Sequence, residues 1–170
     1  YSTIHINVVS PVPLINNVSD GGLYKQSVSP TIANNGSATL NGVPFISGTA
    51  IIKEGIYTLV AMNAYGTTQV QFEIDLTPPI LSGLTSDSLQ TTAPTITFNE
   101  GTALLNGVPF TSGTTVSQEG KYEIVVTDKA GNAVKCTFMY YKPRQLEFNS
   151  LGGTSIAAQA VAYDSFGSKP

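Results

Sequence analysis

A ten-residue stretch occurs twice in this chain. Gly36-Ser-Ala-Thr-Leu-Asn-Gly-Val-Pro-Phe45 returns sixty-five positions later as Gly101-Thr-Ala-Leu-Leu-Asn-Gly-Val-Pro-Phe110, with two positions changed. Each copy is followed at the same distance by Ser-Gly-Thr (Ser47–Thr49, Ser112–Thr114) and then by Glu-Gly-x-Tyr (Glu54–Tyr57, Glu119–Tyr122). This fixes the register of a duplication over most of a domain. A period of this length exceeds the roughly 20–50 residues of solenoid repeats, so each copy is expected to close around its own core.

The local patterns inside the repeat are those of short strands. In Leu40-Asn41-Gly42-Val43 and Leu105-Asn106-Gly107-Val108 an Asn-Gly pair lies between apolar residues, a type I′ hairpin signal, because that turn needs positive φ at both central residues. Pro44 and Pro109 follow the turn and lack a backbone donor, which places their strand at a sheet edge. Tyr57, Leu59, Ala61 and their equivalents Tyr122, Ile124, Val126 alternate with more polar residues, as half-buried strands do. Asn63-Ala-Tyr-Gly66 and Asp128-Lys-Ala-Gly-Asn132 then supply turns, before the closing strands Val70–Ile74 and Cys136–Tyr140. Nothing reads as a helix of ordinary length. About seven short strands per unit, with turns every 8–12 residues, is the pattern of a two-sheet sandwich.

Composition excludes several classes of function. Charged residues are 11% of the chain and the net charge is −3 without a basic patch, so the counterion release that drives nucleic-acid binding is absent. No apolar run is long enough for a membrane-spanning helix. Cys136 is the single cysteine, so there is neither an intrachain disulfide nor a cysteine cluster for zinc. It aligns with Val70 and reads as a small core residue. His5 is the single histidine; it lies near a terminus on the polar face of Ile4–Val8, which leaves no Ser-His-Asp or Cys-His arrangement to build on. Ile4–Val8 reads either as the closing strand of a preceding unit or as the opening strand of the first, and the chain reads as an internal piece of a longer polypeptide.

The motif order, Ser-Gly-Thr, Glu-Gly-x-Tyr, Thr127-Asp-Lys-Ala-Gly-Asn132 and the junction Ile74-Asp-Leu-Thr-Pro-Pro79, resembles bacterial immunoglobulin-like (Ig-like) domains found in tandem in secreted and surface proteins. The resemblance covers about residues 8 to 143. It implies an all-β fold of tandem Ig-like β-sandwiches, 1–76 (with 1–7 open to either assignment) and 77–143. Tyr57 and Tyr122 would then be corner tyrosines whose hydroxyls bond back to the chain. The segment 144–170, opening with Leu146-Glu-Phe-Asn-Ser-Leu-Gly-Gly-Thr-Ser155, is similar to the opening hairpin of the Listeria-Bacteroides (internalin B-type) repeat, a β-grasp-like module, here incomplete.

Functionally, the resemblance implies a non-catalytic spacer or stalk in an extracellular or cell-wall protein of a bacterium, most naturally Gram-positive, with no cofactor. Its partners would be neighbouring domains of the same polypeptide. The alternatives are an adhesion module for a host protein or glycan, and an accessory module of a polysaccharide-degrading enzyme. Tyr65 at a turn tip and Tyr141 near the second junction are the candidate ligand-contacting aromatics, since exposed rings can stack on sugars. Glu73 and Asp75, with Asp20, Asp87, Glu100 or Asp128, are the oxygen ligands that calcium would require at a junction. As an acid–base pair, Glu73 and Asp75 lack a cleft to separate their proton affinities.

Overall fold

A computed structural model describes residues 11–146 and 159–161. The reading of Ile4–Val8 and most of the segment after Leu146 lie outside these residues. The chain divides into two compact units: Tyr1–Thr77 with Lys129–Asn132, and Pro78–Asp128 with the chain from Ala133 on.

Among the described residues the first unit holds seven strands: β1 (Leu14–Asn16), β2 (Gly22–Tyr24), β3 (Thr31–Ala33), β4 (Ser37–Leu40), β5 (Val43–Phe45), β6 (Gly55–Asn63) and β7 (Gly66–Ile74). Five of them form one sheet in the order β2-β7-β6-β4-β5; β1 and β3 pair in the other, which an isolated bridge from Val28 to Ile51 extends. The second unit holds β8 (Leu81–Ser82), β9 (Ser88–Gln90), β10 (Thr95–Phe98), β11 (Thr102–Leu105), β12 (Val108–Phe110), β13 (Thr114–Thr115), β14 (Gly120–Thr127) and β15 (Ala133–Tyr140). Its sheets run β12-β11-β14-β15-β9 and β13-β10-β8. No helix occurs among the described residues. After these strands, β16 (Arg144–Leu146) pairs antiparallel with β17 (Gln159–Val161).

Alternation along the two long strands of each unit builds the core. In the first, Leu59 and Ala61 of β6 and Val70, Phe72 and Ile74 of β7 are buried, while Gln71 and Glu73 between them face water. Ile15, Val18, Val28 and Ile51 close the cluster from the other layer. The second core repeats this with Ile124, Val126, Cys136, Phe138 and Tyr140 against Ile96 and Val116. Removing each large side chain from water contributes about 1.5–3 kcal/mol. The short sheet pieces are thus held by the core they cover more than by their own ladders.

Both Asn-Gly pairs form the turns their chemistry requires. Asn41 and Gly42 have φ of 50° and 80°, and Asn106 and Gly107 have 49° and 80°. The flanking pairs are Leu40 with Val43 and Leu105 with Val108. In a two-residue hairpin the flanking pair is the hydrogen-bonded one. The nitrogens of Pro44 and Pro109, one residue on, therefore point away from the sheet. Each proline removes a donor from the outward rim of edge strand β5 or β12, where another chain would otherwise pair.

Candidate functional site

The Glu-Gly-x-Tyr segment opens β6 in the first unit and β14 in the second, and the two side chains that recur in both copies turn back on the chain. The Tyr57 hydroxyl donates to the Lys53 carbonyl at 2.8 Å, and the Tyr122 hydroxyl to the Gln118 carbonyl at 2.8 Å. Each ring also stacks on the phenylalanine directly opposite in register, Tyr57 on Phe72 at 5.6 Å between centroids and Tyr122 on Phe138 at 5.2 Å. A tyrosine at the head of the penultimate strand, bonded four residues upstream beneath a two-sheet sandwich, is a tyrosine corner. Both units are immunoglobulin-like. Changing Tyr122 to phenylalanine keeps the stacking and deletes the bond, so the second unit should lose about 1 kcal/mol. In calorimetry that is a fall of about 4–8 °C in its transition.

The glutamate of the same motif has a role that sequence reading missed. Glu54 Oε1 accepts from the Leu76 amide at 2.7 Å and from the Thr77 hydroxyl at 2.6 Å. In the second copy Glu119 accepts from the Lys142 amide and from the Arg144 guanidinium, each at 3.0 Å. Leu76 and Lys142 each lie two residues past the last core residue of their unit, Ile74 and Tyr140. The carboxylate therefore fastens the exit of the closing strand to its own sandwich. A carboxylate three residues ahead of the tyrosine in both copies was the available signal.

The Lys142 amide first, and then the Arg144 guanidinium, hold the Glu119 carboxyl below its ordinary value of 4.5. A lowered value in the folded state means that this stabilisation is present above the ordinary carboxylate range and disappears as pH falls through the folded value. Glu119→Gln should therefore lower the thermal transition of the second unit near neutral pH. At pH low enough to protonate the wild-type carboxyl in the folded state, it should leave that transition unchanged.

The candidate ligand-contacting tyrosines belong to different units. Tyr65 is 57% exposed on the β6–β7 turn, which the Asn63 side chain closes by accepting from the Tyr65 and Gly66 amides at 2.8 and 3.2 Å. Tyr141, after β15, is half-buried, and its amide donates to Gln90. Of the proposed carboxylate pair, Glu73 is exposed, while Asp75 turns to its own backbone and accepts from the Thr77 amide at 3.1 Å. The other proposed calcium ligands are engaged locally: Asp20 with the Gln71 amide, Asp87 with the Thr137 hydroxyl and Glu100 with the Asn99 amide group. Asp128 is buried. Among the described residues, no three His, Cys, Asp or Glu side chains gather to hold a metal. Cys136 lies in the second core, where burial pushes its thiol up against a smaller opposing pull from Ser86. That is the opposite of what a nucleophile needs. Among the described residues, no helix is long and apolar enough to cross a membrane.

No family model and no curated protein matches this chain. Among solved structures it is similar to the I-band fragment I67-I69 from titin, at 14% identity and a TM-score of 0.36, over 81% of this chain and 68% of that one. It is also similar to a structure solved for Dscam isoform specificity, at 12% identity and a TM-score of 0.34, over 79% of this chain and 47% of that one. A third is SGBP-B of the Bacteroides ovatus mixed-linkage glucan utilization locus, in complex with a mixed-linkage heptasaccharide, at 14% identity and a TM-score of 0.28, over 79% of this chain and 47% of that one. The chain thus spans about half the length of the last two. At these scores the likeness concerns fold alone, and no property of those proteins comes with it.

Proposed function

We propose that this chain is a non-catalytic, load-bearing spacer of a bacterial extracellular or cell-wall protein, and that its immunoglobulin-like units hold other domains at a distance. One feature of the topology carries this reading. In both units a strand near the start of the unit pairs in parallel with the last one: β2 with β7 (Gly22 with Phe72 through Tyr24 with Ile74) and β9 with β15 (Ser88 with Phe138 through Gln90 with Tyr140). Tension on the two ends draws a parallel terminal pair in opposite directions along the strand axis, so its hydrogen bonds share the load in shear. An antiparallel terminal pair would open one bond at a time.

Backbone bonds flank each of these ladders. Gly21 donates to Gln71 and Asp75 to Tyr24 in the first unit; Asp87 donates to Thr137 and Tyr141 to Gln90 in the second. The Glu54 and Glu119 anchors continue the attachment past the last strand. The prolines on β5 and β12 oppose lateral pairing with other chains, which suits a spacer.

The test is single-molecule pulling on Gln90→Pro, with Gln90→Ala as control. Because the Gln90 carbonyl accepts from Tyr141, its own N–H faces the same neighbour, and proline deletes that donor. The proline variant should lower the rupture force of the second unit and leave the first unchanged. Equal forces in wild type and the proline variant would remove the basis of the reading.

A further inference from the structure

The two copies serve as internal controls for one another, because residues that merely maintain the sandwich recur in both. At one open side of the first sandwich they do not. There, between edge strand β5 and the segment that carries Ile51, lies a cleft of about 270 Å³ lined by Leu40, Phe45, Ile51, Ile52, Lys53 and Tyr57. Its structural walls recur: Leu40, Phe45, Ile51 and Tyr57 correspond to Leu105, Phe110, Val116 and Tyr122. Its surroundings do not. Ile52 of the lining is 66% exposed in the first unit and corresponds to Ser117, and Ile46, next in the chain to the lining residue Phe45, is 79% exposed and corresponds to Thr111. Lys53 corresponds to Gln118.

Two adjacent changes in the lining, at Ile52 and Lys53, thus give the first copy an exposed branched apolar side chain and a cation where the second presents neutral polar groups, and Ile46 is a third difference beside Phe45 in the chain. None of the three is needed to close the fold, since the second copy closes without them. Exposing two isoleucines to water is unfavourable in the free protein. Lys53 has no side-chain partner among the described residues, and it is the one charged group in the cleft lining.

We infer that this cleft is a docking site for an extended peptide segment of a partner protein that places one large apolar side chain beside a carboxylate. Charge complementarity decides the second element: an apolar cleft whose single charge is an unpaired ammonium favours an anion next to the group it buries. The volume decides the first, since it accommodates one leucine- or phenylalanine-sized side chain and is small for a lipid chain. Pro44 decides the mode. With its donor missing from the outward rim of β5, the peptide cannot simply extend the sheet, so recognition rests on side-chain insertion rather than on strand addition. The site is independent of the spacer reading, since load passes through β2 and β7 on the opposite edge of the sheet.

The experiment is a titration of the isotopically labelled 170-residue chain, followed by amide shifts, with the blocked tetrapeptide Gly-Phe-Glu-Gly and, as control, Gly-Phe-Lys-Gly. Saturable shifts confined to Leu40, Phe45, Ile51–Lys53 and Tyr57 are expected with the acidic peptide, and at least tenfold weaker binding with the basic one. The variant Ile46→Thr, Ile52→Ser, Lys53→Gln installs the side chains that the sister unit already tolerates, so the fold survives; it should lose the response at least tenfold. Binding that persists in the triple variant, equal binding of the two peptides, or no saturable shift at millimolar peptide would each overturn the proposal.

Discussion

Truncating Phe138 to alanine is expected to unfold the second unit and leave the first standing. Phe138 is 3% exposed, stacks on Tyr122 and pairs with it in the β14–β15 ladder. Loss of a buried phenylalanine costs about 3–5 kcal/mol. A sandwich of this size has about 3–9 kcal/mol in total at ordinary stability per residue. Because each unit has its own buried cluster, the cost should fall on one transition alone. Phe72→Ala is the mirror experiment. Its ring is 2% exposed and contacts both Tyr57 and Tyr24, so the first unit should lose about as much. Amide spectra of Phe138→Ala should keep the dispersed signals of β6 and β7 while those of β14 and β15 collapse. Loss of both sets together would show that the two cores melt as one body.

The second large effect is expected at Asn106, and it separates two roles of one residue. Its φ of 49° serves the turn. Its side chain also reaches across to β14, where Oδ1 accepts from the Glu123 amide at 2.8 Å and Nδ2 donates to the Lys121 carbonyl at 3.1 Å. Asn41 makes the same pair of contacts with Thr58 and Ile56. Asn106→Ala loses both bonds and places a non-glycine, non-Asx residue in the left-handed region, a sum of about 2–4 kcal/mol. Asn106→Gly restores the backbone freedom and loses only the bonds, so it should cost about 1–2 kcal/mol. Denaturant titration of the two variants measures the difference directly. Equal losses in both would mean that the turn conformation contributes nothing.

Asn-Gly between apolar residues announced the hairpins, and alternation along Tyr57–Ala61 and Tyr122–Val126 announced the core, because both signals are local. The bonds from Asn41 and Asn106 to the next strand were not legible, since they join residues that become neighbours only when β4 packs on β6 and β11 on β14. β2 and β9 were hidden for a related reason. Gly21-Gly22 reads as a turn, and three-residue strands have no periodicity to detect. They are strands because β7 and β15 present a free edge to them. The exit anchors at Glu54 and Glu119 were visible as a recurring carboxylate but not as a contact, their partners lying more than twenty residues away. Tyr65 and Tyr141 were singled out for their rings, yet exposed apolar surface found in the first copy and not in the second also lies at Ile46, Ile52, Ile56 and Met62, side chains that look like ordinary strand residues until the copies are compared in the folded state.

The most direct test of the account is to pull the wild-type chain from its two ends, one molecule at a time. Two self-contained sandwiches closed by parallel terminal pairs should break in two separate, abrupt events, each releasing about 60 residues and so roughly 200 Å of extended chain. A single event of twice that length, or a gradual lengthening at low force without discrete rupture, would contradict it.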